Sequence, residues 1–208
     1  MKTAPRGGGA AIRIIGGRWR GTRLPVEYAP GLRPSSDRVR ETLFNWLGPT
    51  IAGARVVDLF AGTGALGLEA VSRGASSAVL VERDARLAAA LHATVSRLAA
   101  QEQVEVVQAD ALQWLARQPT GRIDIAFLDP PFESGLWSPA LALLPQVTAP
   151  GALLYVESPH ENRDARPGPS WALHRQGSTR DVHFALYRRL VQPGADTITG
   201  DVSVAACE

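Results

Sequence analysis

The chain is 208 residues long, 45% apolar and 20% charged, with a net charge of +2 and one cysteine, Cys207. That size and balance suit one ordinary domain with a true core and exclude wholesale disorder. No apolar run reaches membrane-spanning length, and one cysteine excludes a disulfide framework, a cysteine-based zinc site and an iron–sulfur cluster within one chain.

The first eleven residues, "MKTAPRGGGAA", lack the apolar core of a signal peptide and read as a flexible basic arm. A cytoplasmic, monomeric protein without a membrane partner is expected. The charge is unevenly spread. Residues 1–48 carry Lys2 and eight arginines against Glu27, Asp37 and Glu41, a net of +6, which leaves −4 on the rest. A basic head on a mildly acidic body suits a polyanionic partner. Basic termini are also common without one.

The head occupies residues 12–48. "IRIIGGRWRGTRLPV" has short apolar stretches around Gly16-Gly17, and glycine supplies the positive φ of a tight hairpin turn, so a two-stranded hairpin is predicted. In "LRPSSDRVRETLFNWLG", Ser35 is a candidate N-cap and Asp37 falls in the first turn. Val39, Leu43, Trp46 and Leu47 share one helical face, and Gly48-Pro49 ends the helix.

From residue 49 to 189 a regular alternation follows. The strands are "ARVVDLF", "SAVLVE", "VEVVQ", "IDIAFLD" and "GALLYVES". The helices between them are "GALGLEAVSRG", "DARLAAALHATVSRLAA", "DALQWLARQ" and "LWSPALALL". Strand–helix alternation with β-branched runs predicts a mostly parallel sheet covered by helices on both faces. "SWALHRQGSTRDVHFALYRR" then has two strand-like runs around Gly177-Ser178 with no helix between, an antiparallel hairpin closing one sheet edge. Residues 190–208 are small and polar and read as a disordered tail.

Chemistry concentrates at strand ends. "VVDLFAGTGALGLEA" holds Asp58, Gly62, Gly64 and Gly67. The glycines let the chain turn sharply from strand to helix and let a ligand approach the backbone. Asp58 would repel a pyrophosphate but suits a cationic ligand, and S-adenosylmethionine carries a sulfonium and an ammonium with no phosphate. Glu82, twenty residues after Gly62, stands where an acid accepts hydrogen bonds from ribose hydroxyls, a feature shared with NAD sites. Asp110 follows the third strand and either reaches an adenine amino group or caps the next helix.

The fourth strand ends in "DPPF", Asp129 to Phe132. Two acceptors, the Asp129 carboxylate and the Pro130 carbonyl, can bind the two N–H groups of an exocyclic nucleobase amine and aim its lone pair at the sulfonium methyl. Prolines fix φ and donate no N–H, which makes a rigid acceptor platform. Phe132 can stack on the base. Such a displacement needs neither metal nor covalent intermediate. A stiff turn is the bland alternative.

"DPPF" with "DLFAGTGALGLEA" resembles the class I methyltransferases that act on exocyclic nucleobase amines. The head motifs, with "YVES" and "WALHRQGSTRDVHFALYRR", are similar to the bacterial 16S ribosomal RNA guanine-N2 methyltransferase family over about residues 12–189. The resemblance implies an α/β, Rossmann-like fold with a seven-stranded, mostly parallel sheet, a C-terminal antiparallel hairpin and a small N-terminal hairpin and helix. It implies S-adenosyl-L-methionine as donor. It also implies the N2 of one guanine in 16S rRNA, within an assembling or assembled small subunit, as acceptor. Asp58, Gly62, Gly64, Glu82 and Asp110 would bind the donor, and Asp129, Pro130 and Phe132 would form the reaction site. Related enzymes often have tyrosine in place of Phe132, so no hydroxyl role is assigned there. Arg13, Arg18, Arg20, Arg23, Arg33 and Arg38 are candidates for rRNA phosphates, and Trp19 for stacking on a base. Arg33 to Ser35 could instead line the donor pocket. Trp46, Trp114 and Trp171 read as packing residues, and the four histidines lack metal-ligand spacing. Three alternatives remain: an adenine-N6 methyltransferase, an RNA-binding assembly factor, and an NAD-dependent oxidoreductase. Asp58 in the pocket disfavours the last.

Overall fold

The computed structural model describes residues 12–25, 36–160 and 162–191. The first eleven residues, Arg33 to Ser35 and residues 192–208 lie outside that set.

In the head, β1 (Ile12–Arg13) pairs antiparallel with β2 (Arg23–Leu24), Ile12 opposite Leu24. The hairpin exists, but Gly16-Gly17 is not a two-residue turn. The connection runs from residue 14 to residue 22 through a 3-10 turn at Gly17–Trp19; Gly16 is extended, and Gly17 takes φ +74°. The turn is shaped by what it docks on. A Cβ at Gly17 would lie 1.9 Å from the Ser72 carbonyl oxygen, and the Trp19 N–H donates to Ser72 Oγ at 3.0 Å.

α1 (Asp37–Leu47) is capped by Ser36, whose Oγ accepts the Val39 N–H at 3.3 Å. The cap therefore falls one residue after the position expected from sequence. Its buried face holds Val39, Leu43 and Leu47 as expected, together with Arg40 and Phe44. Trp46 is half-buried and stacks on Phe184 at 5.4 Å.

The alternation then proceeds through β3 (Arg55–Asp58), α2 (Ala65–Ser72), β4 (Ser77–Glu82), α3 (Ala85–Arg97), β5 (Val104–Gln108), α4 (Ala111–Leu115), β6 (Ile123–Leu128), α5 (Trp137–Val147) and β7 (Thr148–Pro159). It closes with β8 (Trp171–Ser178) and β9 (Val182–Arg189). The seven-stranded sheet has the order β5-β4-β3-β6-β7-β9-β8. β5 through β7 are parallel, and β9 pairs antiparallel with both β7 and β8. The β8–β9 turn is at Thr179–Asp181 rather than at Gly177-Ser178, which lie inside β8. Gly177 is a strand residue because Phe184 covers it: a Cβ there would meet the ring at 2.5 Å.

Alternating strand residues feed two cores. One face packs Leu43, Phe44, Leu68, Leu80, Phe127 and Tyr155 together with the head's Ile12, Ile14 and Leu24. The other packs Val57, Val81, Leu128, Trp137, Leu144, Leu154 and Trp171, with Trp114 half-buried against it. Each fully buried leucine or phenylalanine contributes about 2 kcal/mol, so the head shares the stability of the sheet it covers.

A polar joint fixes the head as well. Glu69, buried in the middle of α2, accepts the Ile15 N–H at 2.6 Å, the Gly16 N–H at 2.7 Å and Arg73 Nε at 2.6 Å. Arg40, also fully buried, reaches Asp37 at 2.7 Å and stands 3.9 Å from Glu69. In the sequence these two look like ordinary helix charges. A signal was nevertheless present: Arg40 interrupts an apolar face and Glu69 sits in an otherwise apolar helix. Among the described residues no helix is long and apolar enough to cross a membrane.

Candidate active site

Parallel strands bring their C-terminal ends to one edge of the sheet, and the strand order lines up four acids there. Asp110, Glu82, Asp58 and Asp129 follow or end β5, β4, β3 and β6, which are consecutive neighbours. With about 4.8 Å between strands, the row spans about 14 Å.

Asp58 ends β3 and is 3% exposed. Its Oδ2 accepts the Gly67 N–H at 3.0 Å, which ties the strand to the first turn of α2. Burial pushes its carboxyl up to about 7; the Gly67 amide pulls it back, the Glu82 charge pushes it further, and the Phe60 amide opposes. A buried carboxyl of this kind becomes fully ionised when a cation is set beside it.

The loop from β3 to α2 bends at Gly62 (φ +53°) and Gly64 (φ +77°), backbone conformations that favour glycine. Gly67 serves packing: a Cβ there would lie 2.1 Å from Leu80 Cδ2, so only glycine lets α2 sit this close to β4. Glu82 holds the loop from the next strand. Its Oε2 accepts the Gly62 N–H at 2.9 Å and its Oε1 the Asp84 N–H at 2.8 Å. Asp110 is the N-cap of α4, with Oδ1 accepting the Leu112 and Gln113 N–H groups at 3.0 and 3.1 Å. Both sequence readings of Asp110 remain compatible, because the cap uses one oxygen.

Asp129 is half-buried just past β6, Pro130 is buried behind it, and Phe132 is half-buried. The Phe132 ring lies 6.3 Å from that of Trp137, the first residue of α5. β3 and β6 are register neighbours with Asp58 opposite Phe127, so the glycine loop and the Asp-Pro-Pro turn leave adjacent strands. Beneath them, Tyr155 and Glu157 on β7 are buried, and the Tyr155 O–H donates to Glu157 Oε2 at 2.6 Å. Sequence reasoning did not single out this pair, although an acid inside the apolar run "LLYVES" marked it.

The arginine candidates separate. Arg13, Arg18, Arg20, Arg23 and Arg38 are exposed, and Arg33 is outside the described residues. Arg18 bonds Gln103 and lies over the Trp19 ring, 4.1 Å from its centroid. Trp19 is half-buried against the core, so one ring face is already occupied. This turn docks at Ser72, the last residue of α2, about 12 Å along the helix from the glycine loop. Arg38 is in the first turn of α1. Among the described residues no cluster of His, Cys, Asp and Glu could hold a metal ion.

A parallel sheet of this order, extended by an antiparallel hairpin, with a glycine loop after β3 and a carboxylate row along its edge, is the fold of a class I methyltransferase. The chain belongs to the family described as conserved hypothetical protein 95, whose model matches residues 12–188. It is 46% identical to ribosomal RNA small subunit methyltransferase D of Escherichia coli K12, over 94% of this chain and 99% of that one. It is 41% identical to the enzyme of the same name from Haemophilus influenzae, over 85% and 93%. The solved structure of yhhF from Escherichia coli is similar at 46% identity with a TM-score of 0.78, covering 88% of this chain and all of that one.

Proposed function

We propose that this protein transfers a methyl group from S-adenosylmethionine to the exocyclic N2 amine of one guanine in 16S rRNA of the small ribosomal subunit. The observation that carries the reading is the order of the acids on the sheet edge: Asp110, Glu82, Asp58, Asp129. The donor has adenine, ribose and a cationic methionyl end, carrying sulfonium and ammonium, in that sequence, and the acceptor amine must stand beyond the methyl. The four strand ends match this order, and the acidic set suits a cationic donor rather than a phosphate.

When bound, the donor supplies a methyl group already activated by positive charge. Asp110 accepts from the adenine amine, and Glu82, fixed by two loop amides, accepts from ribose hydroxyls. Asp58, ionised in the complex, meets the donor's ammonium. Gly62 and Gly64 let the backbone approach. Asp129 and the Pro130 carbonyl take the two N–H bonds of the target amine and draw it toward tetrahedral geometry, so that its lone pair points along the line of attack. Phe132, braced by Trp137, stacks on the base. Arg13, Arg18, Arg20, Arg23, Arg33 and Arg38 supply phosphate contacts, those on the docked turn gripping RNA away from the target nucleotide. The head, packed on the same core as the sheet, acts on the subunit together with the methyltransferase segment, with a single chain sufficient.

The test is methyl incorporation from labelled donor into small subunits taken from cells lacking the gene, beside naked rRNA and DNA, with the modified nucleoside identified by mass. N2-methylguanosine in the subunit is expected. N6-methyladenine would move the acceptor to the other exocyclic amine, and no incorporation into any nucleic acid would overturn the assignment.

A further inference from the structure

The sheet edge does not end at Asp129. Beyond β6 it continues over β7, β9 and β8, where Ser158 stands opposite His183 and His183 opposite Ser178. With about 4.8 Å between strands, His183 lies about 10 Å along the edge from the β6 line, on which the Asp-Pro-Pro turn begins. The chemical character of the edge changes there. From β5 to β6 its strand ends carry Asp110, Glu82, Asp58 and Asp129. From β7 to β8 the described residues add His160, Arg166, Arg180 and His183, against Asp164, Asp181 and the buried Glu157.

Side chains alternate, so His183, Ala185 and Tyr187 of β9 share one face with Ser178, Gln176 and Leu173, which stand opposite them on β8. Tyr187 packs on the second core, so this face is the one turned away from the head. On that side α5 and the 3-10 turn at Arg163–Ala165 pack over β6 and β7. They leave the outer strip open: Leu173 is 52% exposed, Gln176 and Ser178 are exposed, and His183 and Tyr187 are half-buried. Arg166, also exposed, follows the 3-10 turn and lines the cleft between α5 and the start of β8, with Leu141, Ser170 and Trp171. Burial holds His183 below its ordinary value, and the His160 and Arg166 charges push the same way. Burial holds the Tyr187 phenol above its own, and Arg166 opposes. One guanidinium is thus within electrostatic reach of two rings that lie four residues, about 13 Å, apart on the strand.

A cation, two rings, an exposed leucine and side-chain hydrogen-bonding groups on an open sheet face have the composition of a single-stranded RNA track. We propose that the outer face of β8 and β9, from His183 at the reaction edge to Leu173 and Tyr187 beside Arg166, holds the single-stranded nucleotides that flank the target guanine. The inference rests on the methyl-transfer reading above and extends it. Presenting a guanine to Asp129 takes its base out of the stack, and the strip restores stacking to its neighbours. The head meets RNA on the other face of the sheet, so the strand crosses the edge at the target and is held on both sides of it.

The test is subunit binding and steady-state methylation with two exposed positions changed. In Arg166→Gln, Kd and KM for subunits should rise at least threefold, and the salt slope of binding should fall by about 0.7, the value for one single-strand phosphate. Leu173→Ser should weaken binding at least threefold with the slope unchanged, and Leu173→Tyr, which enlarges the platform, should tighten it. S-adenosylhomocysteine affinity should stay within about twofold in all three, a combination that a purely structural role does not give. A photocrosslinker in place of Leu173 reads the partner directly. Crosslinks to 16S rRNA beside the methylated guanine are expected; crosslinks to a ribosomal protein alone, or none, overturn the inference. Unchanged KM and slope in Arg166→Gln, while the natural chain methylates subunits, also overturn it and leave the methyl-transfer reading standing. A natural chain that neither binds nor methylates subunits removes both.

Discussion

Asp58 gives the sharpest quantitative expectation. Its folded-state carboxyl titrates at about 7, against an ordinary aspartate value of 3.8, because burial outweighs the amide bonds it accepts. The folded chain therefore holds a proton that the unfolded chain releases. Between about pH 4 and pH 7 stability falls as pH rises, and above pH 7 the loss is complete. Three units at about 1.4 kcal/mol each set the size at about 4 kcal/mol. Asp58→Asn keeps an acceptor for the Gly67 N–H and removes the charge. At pH 8 the variant should be more stable than the natural chain by about 2–4 kcal/mol, which at this size is about 5–10 °C in Tm. At pH 4 the difference should nearly vanish. The same variant loses the ammonium's partner, so affinity for S-adenosylhomocysteine should fall at least tenfold at pH 8. Thermal unfolding across pH 4 to 8, paired with calorimetry, reads both. A variant less stable than the natural chain at pH 8, or a gap independent of pH, would refute the account of Asp58 as a carboxylate held at an electrostatic cost for the sake of a cationic ligand.

Donor affinity of the natural chain should weaken up to tenfold per unit as pH drops below about 7, because the donor binds the ionised Asp58; a flat calorimetric profile from pH 5 to 8 would contradict this. Asp129→Ala should abolish methyl transfer and leave S-adenosylhomocysteine affinity within about twofold, and a collapse of both would move Asp129 into the donor site. Glu69→Ala strips the Ile15 and Gly16 amides and Arg73 of their acceptor and leaves buried Arg40 with Asp37 alone, at a cost of about 3–5 kcal/mol; urea unfolding and faster amide exchange at Ile15 and Gly16 check it. Neutralising Arg18 and Arg20 together should lower the salt slope of subunit binding by about 1 to 2, and an unchanged slope removes them from the interface.

The alternation of strands and helices was readable from the chain because it is local: β-branched runs, apolar faces and glycine punctuation act within a few residues. The acids at the strand ends were readable for the same reason, each being the last polar residue of an apolar run. The misplacements are equally instructive. Gly16-Gly17 and Gly177-Ser178 look like turns, yet Gly17 is fitted to the end of α2 and Gly177 to the ring of Phe184. A glycine required by a distant neighbour and a glycine required by its own backbone look alike in one dimension. Arg40, Glu69, Tyr155 and Glu157 were passed over because burial of a charge depends on what other segments bring to it.

The sequence by itself determined which acids and glycines stand at the strand ends and, through the motifs resembled, which family the chain joins. Only the tertiary structure decided how those residues stand relative to one another. It put Asp110, Glu82, Asp58 and Asp129 in that order along one edge, set the head's arginine turn a helix length from the glycine loop, and buried Tyr155 with Glu157 on the neighbouring strand. The physical reason is that strand order and register are chosen by burial summed over the whole sheet, whereas the signals in the sequence are summed over a single segment.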